Sequence, residues 1–326
     1  MARLGTIVTI WFALAAPGIA HAQQKLSIPS VTPASLTALL HHETKPTTVT
    51  GELYLPTKAS APLPALVLMH GSGGLEGPTG TNIRKWAGTF AGWGTAALVV
   101  DSFGPRGIKE TGSNQEQLSG WADDADALAA LKVLAADPRI DKNRIGIVGW
   151  SRGGTAALNT ALEAVRKSII TDDRKFALHV VFYGSATFQY RDRATDKSPM
   201  MFLHGEADNY VIIGPTREFS AWAQSQGNPV TFISYPKTLH DFDVQGQFSG
   251  FLKTLEQSAK CDLVTDLSNG HTVRMNHVDN PKVTADDVRA YVKSCVGHGA
   301  SLGYNAAARA DAVEKVHGFL KQYFQL

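Results

Sequence analysis

Three residue types spread along this chain could together carry acyl transfer: a serine between glycines, an aspartate and a histidine. Ser151 stands in Gly149-Trp150-Ser151-Arg152-Gly153, a G-x-S-x-G pattern that places a serine on a sharp strand-to-helix turn with its hydroxyl above a sheet. Side chains at the flanking positions would clash with so strained a backbone, so glycine is needed there. A serine nucleophile also needs a base to take its proton, an acid to orient that base, and N–H donors for the tetrahedral oxyanion. Asp208 closes the turn Gly205-Glu206-Ala207-Asp208, and His240 follows the last expected strand of the repeating part. Serine, acid, histidine is one of the chain orders such triads adopt. Glu206 is the rival acid, and His240 is selected from 11 histidines because it directly follows a strand. The expected oxyanion donors are the backbone N–H of Arg152 and one from His70-Gly71-Ser72-Gly73-Gly74, with Ser72 first and Gly73 next.

Each of these residues belongs at the end of a strand, and the surrounding pattern supplies the strands. Apolar runs at 65–69, 95–100, 145–148, 176–183, 199–203 and 230–235 are separated by helical stretches at 84–93, 114–136, 155–165 and 216–226. Runs that are apolar on both alternations are expected of strands covered on both faces. Strands alternating with helices at this rhythm argue a mostly parallel sheet with right-handed crossovers and chemistry at the strand C-terminal ends. The alternation at 48–55 predicts an antiparallel edge strand. Before it, the proline-bearing residues 23–47 are expected to be a surface lead with a short helix at 34–41. Residues 260–303 break the rhythm with one helix at 284–294, and are read as an insertion in a single domain over 23–326, before a final helix at 306–323.

The landmarks His70-Gly71-Ser72-Gly73-Gly74, Asp101-Ser102-Phe103-Gly104-Pro105-Arg106-Gly107, Gly149-Trp150-Ser151-Arg152-Gly153, Gly205-Glu206-Ala207-Asp208 and Leu239-His240-Asp241-Phe242 resemble the dienelactone hydrolase family of the α/β-hydrolase fold. The resemblance covers 48–243 plus the last helix, and implies Ser151, Asp208 and His240 as the triad. The founding members carry cysteine where this chain has Ser151, so a more general carboxylic-ester hydrolase is the expectation. The family pattern offers no role for residues 260–303.

Composition narrows the partners. Residues 1–22 run from Met-Ala-Arg through an apolar stretch at 7–16 to Ala20-His21-Ala22. This reads as a cleavable secretory signal, since a spanning helix needs about 20 apolar residues. Periplasmic or secreted location follows, and no membrane contact is expected after cleavage. With 31 Lys and Arg against 29 Asp and Glu, the chain has no basic excess for nucleic acid or anionic lipid. The only cysteines, Cys261 and Cys295, are expected to form one disulfide in an exported chain. The histidines outside the triad lack metal-ligand spacing, and the Gly71–Gly74 stretch lacks the Lys-Ser/Thr of a phosphate loop, so neither metal nor cofactor is expected. Arg106, in a loop after a strand, is a candidate grip for a substrate carboxylate, with a structural ion pair as its alternative. The expected protein is thus an exported serine esterase acting on a small-molecule ester. A binding protein that kept the fold, an acyltransferase and a peptidase remain the alternatives.

Overall fold

The computed structural model describes residues 24–57, 62–191, 193–280 and 282–326. The expected leader at 1–22 lies outside them. In chain order the first strands and helices are β1 (Gln24–Thr32), α1 (Leu36–Leu40), β2 (Lys45–Tyr54), β3 (Leu63–Met69), α2 (Gly77–Gly92), β4 (Ala96–Asp101) and α3 (Gly120–Ala136). They continue with β5 (Ile140–Trp150), α4 (Arg152–Asn159), α5 (Glu163–Lys167), β6 (His179–Phe182), β7 (Phe188–Arg191), β8 (Met200–Gly205), α6 (Ile213–Ser225) and β9 (Val230–Tyr235). The last part holds β10 (Gly250–Gln257), β11 (Leu263–Asp266), β12 (Thr272–Met275), β13 (Val278–Asp279), α7 (Ala285–Cys295), β14 (Gly297–Leu302) and α8 (Ala306–Phe324).

An eight-stranded sheet runs β1-β2-β4-β3-β5-β6-β8-β9. Its first two pairings are antiparallel and the rest parallel. Strand β3 shows why it is central: every residue is buried, and Ala65, Val67 and Met69 enter one core while Leu66 and Leu68 enter the other. Period-two alternation with both faces apolar demands cover on both sides. Helices α3, α4 and α6 cover one face, through residues such as Leu128, Leu158 and Phe219. Helices α2 and α8 cover the opposite face through Trp86, Phe90, Val316 and Phe324. Each such side chain contributes about 1.5–3 kcal/mol when fully buried.

The edge of the sheet differs from expectation. The strand read as the edge is β2, and the presumed lead contains β1, paired with β2 from Gln24↔Leu53 to Thr32↔Lys45. Pro29 argued against a strand there, but proline is tolerated where one side of the strand faces no partner. Helix α2 begins at Gly77, well before residue 84, because Pro78 suits a first helical turn. The stretch at 155–165 divides into α4 and α5, and α3 starts at Gly120, leaving residues 114–119 as loop.

The insertion starts at Gly250, earlier than expected near 260. Strands β10 and β14 pair antiparallel as the two legs on which it leaves and rejoins the sheet domain. Beyond them β11, β12 and β13 form a small sheet whose β11 pairs in parallel with β7. These short polar strands carry weak apolar alternation, so periodicity missed them. The expected disulfide is present: Cys261 before β11 joins Cys295 at the end of α7, with Cα atoms 5.1 Å apart. On the chain-entropy account it stabilises by about 3–4 kcal/mol. Among the described residues no helix is long and apolar enough to cross a membrane.

Candidate active site

Strand β5 ends at Trp150, and Ser151 takes φ 53° and ψ −116° before α4 begins. That conformation is strained for a side-chain-bearing residue. The surroundings impose it: a Cβ on Gly149 would lie 1.9 Å from the Gly153 carbonyl oxygen, and one on Gly153 2.2 Å from that of Met69. The strand therefore turns into the helix at van der Waals contact, and Ser151 is left at the apex.

His240 sits in the loop after β9. Its Nε2 is 2.9 Å from Ser151 Oγ, and its Nδ1 is 2.7 Å from Asp208 Oδ2. The other oxygen of Asp208 accepts the backbone N–H groups of Tyr210 and Val211 at 2.9 and 2.8 Å. Burial alone would raise the Asp208 pKa, but the His240 charge and hydrogen bonds from His204 and His240 hold it well below the usual carboxylate range. Burial likewise works against the imidazolium of His240, and the neighbouring Asp208, with Asp241 and Asp243 behind it, raises its pKa above the ordinary 6.5. The structure thus brings Ser151, Asp208 and His240 together. Glu206 points elsewhere, accepting from the Ser234 hydroxyl.

The loop after β3 lies against the nucleophile, since a Cβ on Gly71 would be 3.1 Å from Ser151 Cβ. Neither the Ser72 nor the Arg152 backbone N–H has an acceptor among the described residues; the latter is the first of a helix, where no intrahelical acceptor exists. The Ser72 hydroxyl joins Gln115, whose Nε2 also donates to Tyr210 Oη. The Arg152 side chain is tied to Asp123, Gln115 and the Leu118 carbonyl, so it anchors the 114–119 loop.

Arg106 is a correction. Its guanidinium grips Asp126 with both terminal nitrogens, and its remaining donors go to Thr32 Oγ1 and the Val31 and Ser102 carbonyls. With its side chain 8% exposed, it has no hydrogen left for a substrate. The structural ion pair is the role it plays, locking β1 to α3.

Sequence reasoning missed the carboxylates beside the histidine. Asp243, fully buried, accepts from Asn82 Nδ2, Trp86 Nε1, Trp150 Nε1 and Tyr183 Oη. It therefore holds Trp150, next to the nucleophile, and Tyr183, whose ring lies 4.5 Å from that of His240. Asp241, with φ 58°, places Oδ1 4.0 Å from His240 Nε2. The run His240-Asp241-Phe242-Asp243 was the available signal, two acids beside a candidate base. Of the aromatic residues near strand ends, Trp150, Trp121 and Tyr210 reach a cavity, while Phe103 and Phe242 are core.

Two cavities meet at Ser151, sharing Ser72 and Tyr210. One of about 140 Å³ lies on the His240 side, and one of about 820 Å³ extends over α4 beneath the insertion. A strained serine hydrogen-bonded to a buried His–Asp pair, on a mostly parallel sheet covered by helices, defines the class: an α/β hydrolase. The sequence profile of the dienelactone hydrolase family matches residues 49–266, and the chain belongs to that family. Its members are hydrolases. A dienelactone hydrolase-like promiscuous phosphotriesterase from metagenomic libraries is similar in structure, with TM-score 0.55 and 16% identity over 92% of this chain and 98% of its own. A thermophilic esterase of the Planctomycetes species Thermogutta terrifontis, with propionate bound, has TM-score 0.49 and 20% identity over 61% and 82%. The first of these likenesses shows the fold. No curated protein sequence matches the chain.

Proposed function

We propose that the protein is an exported serine hydrolase that cleaves carboxylic esters through an acyl-enzyme. The observation that carries this reading is the unbroken chain Asp208–His240–Ser151 with contacts of 2.7 and 2.9 Å. Nδ1–H of His240 donates to Asp208, which leaves Nε2 free to accept the Ser151 proton. Ser151 Oγ attacks the ester carbonyl carbon as His240 takes its proton. The oxyanion is held by the N–H groups of Ser72 and Arg152; losing one such donor costs about 2.7–4 kcal/mol of transition-state stabilisation. Collapse expels the alcohol, which receives the proton from His240. Water then gives a proton to His240, attacks the acyl carbon, and releases the acid while Ser151 regains its hydrogen.

The disulfide supports export, because such bonds persist in oxidising compartments, and residues 1–22 have the pattern of a signal peptide. The test is labelling with a fluorophosphonate probe beside hydrolysis of phenyl acetate. Labelling of the wild type that disappears in Ser151→Ala and His240→Ala, together with turnover, is the expected result. Well-folded wild type that neither labels nor turns over would leave a protein with the fold but not the chemistry.

A further inference from the structure

The two cavities at Ser151 differ in which group each presents, and that difference assigns the halves of the substrate. This inference rests on Ser151 and His240 acting as proposed above. The departing oxygen must receive its proton from His240 Nε2, and His240 lines the smaller cavity and not the larger one. The alcohol therefore leaves on the small side. At about 140 Å³ that chamber is close to the roughly 150 Å³ cavity that accepts a benzene, so the alcohol is small, up to a single ring. The acyl group is left with about 820 Å³, within the range of about 300–1,000 Å³ that holds drug-sized ligands.

The far end of the large cavity is chemically marked. Asn159 closes α4, placing it about 12 Å from Ser151 at 1.5 Å per residue. Its Nδ2 donates to Asp124 Oδ2 at 3.2 Å, while Asp124 Oδ1 has no hydrogen-bond partner although the residue is 1% exposed. Both residues line the cavity. Burial pushes the Asp124 carboxyl well above the usual carboxylate range, further than the Asn159 hydrogen bond lowers it. With Oδ2 accepting from Asn159, the proton falls on Oδ1, which becomes an O–H donor in need of an acceptor. Trp121 and Tyr190, an edge-to-face pair 6.0 Å apart, line the same cavity. An aromatic ring between such walls gains dispersion and quadrupole contacts.

We propose that the large cavity is an acyl site for oxygen-substituted aryl acids, so that the substrates are hydroxyaryl esters of small alcohols with the ring oxygen bound by Asp124. An arylpropenoyl group with a para hydroxyl matches the span from Ser151 once a hydrogen bond of about 2.7 Å is added. The insertion has a part in this, because Val292, Lys293 and Val296 wall the same cavity on its outer side.

The experiment compares kcat/KM for methyl 4-hydroxycinnamate, methyl cinnamate and phenyl acetate in the full-length mature protein. Wild type is expected to favour the hydroxylated cinnamate over the plain one by about tenfold, the effect of one satisfied buried donor. That ratio should fall toward one in Asp124→Leu and persist in Asp124→Asn, whose amide N–H replaces the carboxyl O–H. A wild-type ratio near one overturns the proposal even where Asp124→Leu fails to fold, and so does a ratio that survives in Asp124→Leu. Turnover of phenyl acetate without the preference sinks the acyl site alone. Turnover of none of the three sinks the serine-hydrolase reading and this one with it.

Discussion

Asp208 and Asp241 act on the same imidazole from different sides, and pH separates them. His240 must be neutral to accept the Ser151 proton, and its pKa is raised above 6.5, against burial, by Asp208 first and Asp241 after it. Activity is therefore lost as pH falls through that raised value, so the acidic limb of kcat/KM has its midpoint above 6.5. In Asp241→Asn the midpoint should move down while Ser151 still labels, since one negative charge leaves but the triad stays. Asp208→Asn should lower the midpoint further and cut kcat by about 10⁴-fold, as loss of the orienting acid does in such triads. An unshifted midpoint in both variants, measured by steady-state kinetics, would mean that another group titrates. The triad was legible in the chain because G-x-S-x-G is a local pattern with a steric cause. Arg106 was not, because its partner Asp126 lies on α3 and only folding brings β1, its loop and that helix together.

Among the elements, the insertion departs most from what the pattern of residues suggested. Its legs β10 and β14 stand beside the histidine loop, with Leu302 bridged to His240 and the Gly303 N–H donating to the His240 carbonyl. Its helix α7 is half-exposed and held by the Thr284 capping box and by the disulfide. A double Cys261→Ser, Cys295→Ser variant should lose about 3–4 kcal/mol of local stability. Hydrogen exchange should rise across α7 and β11 while the sheet domain keeps its protection. Fluorophosphonate labelling of Ser151 should persist, because neither cysteine touches the triad. Collapse of protection throughout the sheet would show instead that the insertion is integral to the core. Strands with strong apolar alternation, such as β3 and β9, were visible in the sequence. By contrast β1, β7 and β11 become strands through pairing with partners remote in the chain, and nothing in their own composition announces those partners.

For the whole molecule, the order of β1 bears on export. Its first residue is Gln24, which pairs with Leu53, so cleavage after Ala22 would spare the entire strand. The mature protein is accordingly expected to begin at Gln23 when expressed with residues 1–22 in a secreting host, as N-terminal sequencing would report. Retention of residues 1–22 on exported protein would refute that cleavage. Removing β1 as well would expose Ile28, Val49 and Leu53, which are fully buried. The serine turn, the order of the triad, the alternation of strands and helices and the pairing of two lone cysteines were all readable in one dimension. Each follows from local sterics, periodicity or simple counting. The environment of the carboxylates, the fate of Arg106 and the two unequal cavities arose only on folding. They depend on which distant groups meet in a medium of low dielectric, where a single partner decides whether a carboxyl is a charge, an orienting acid or a hydrogen-bond donor.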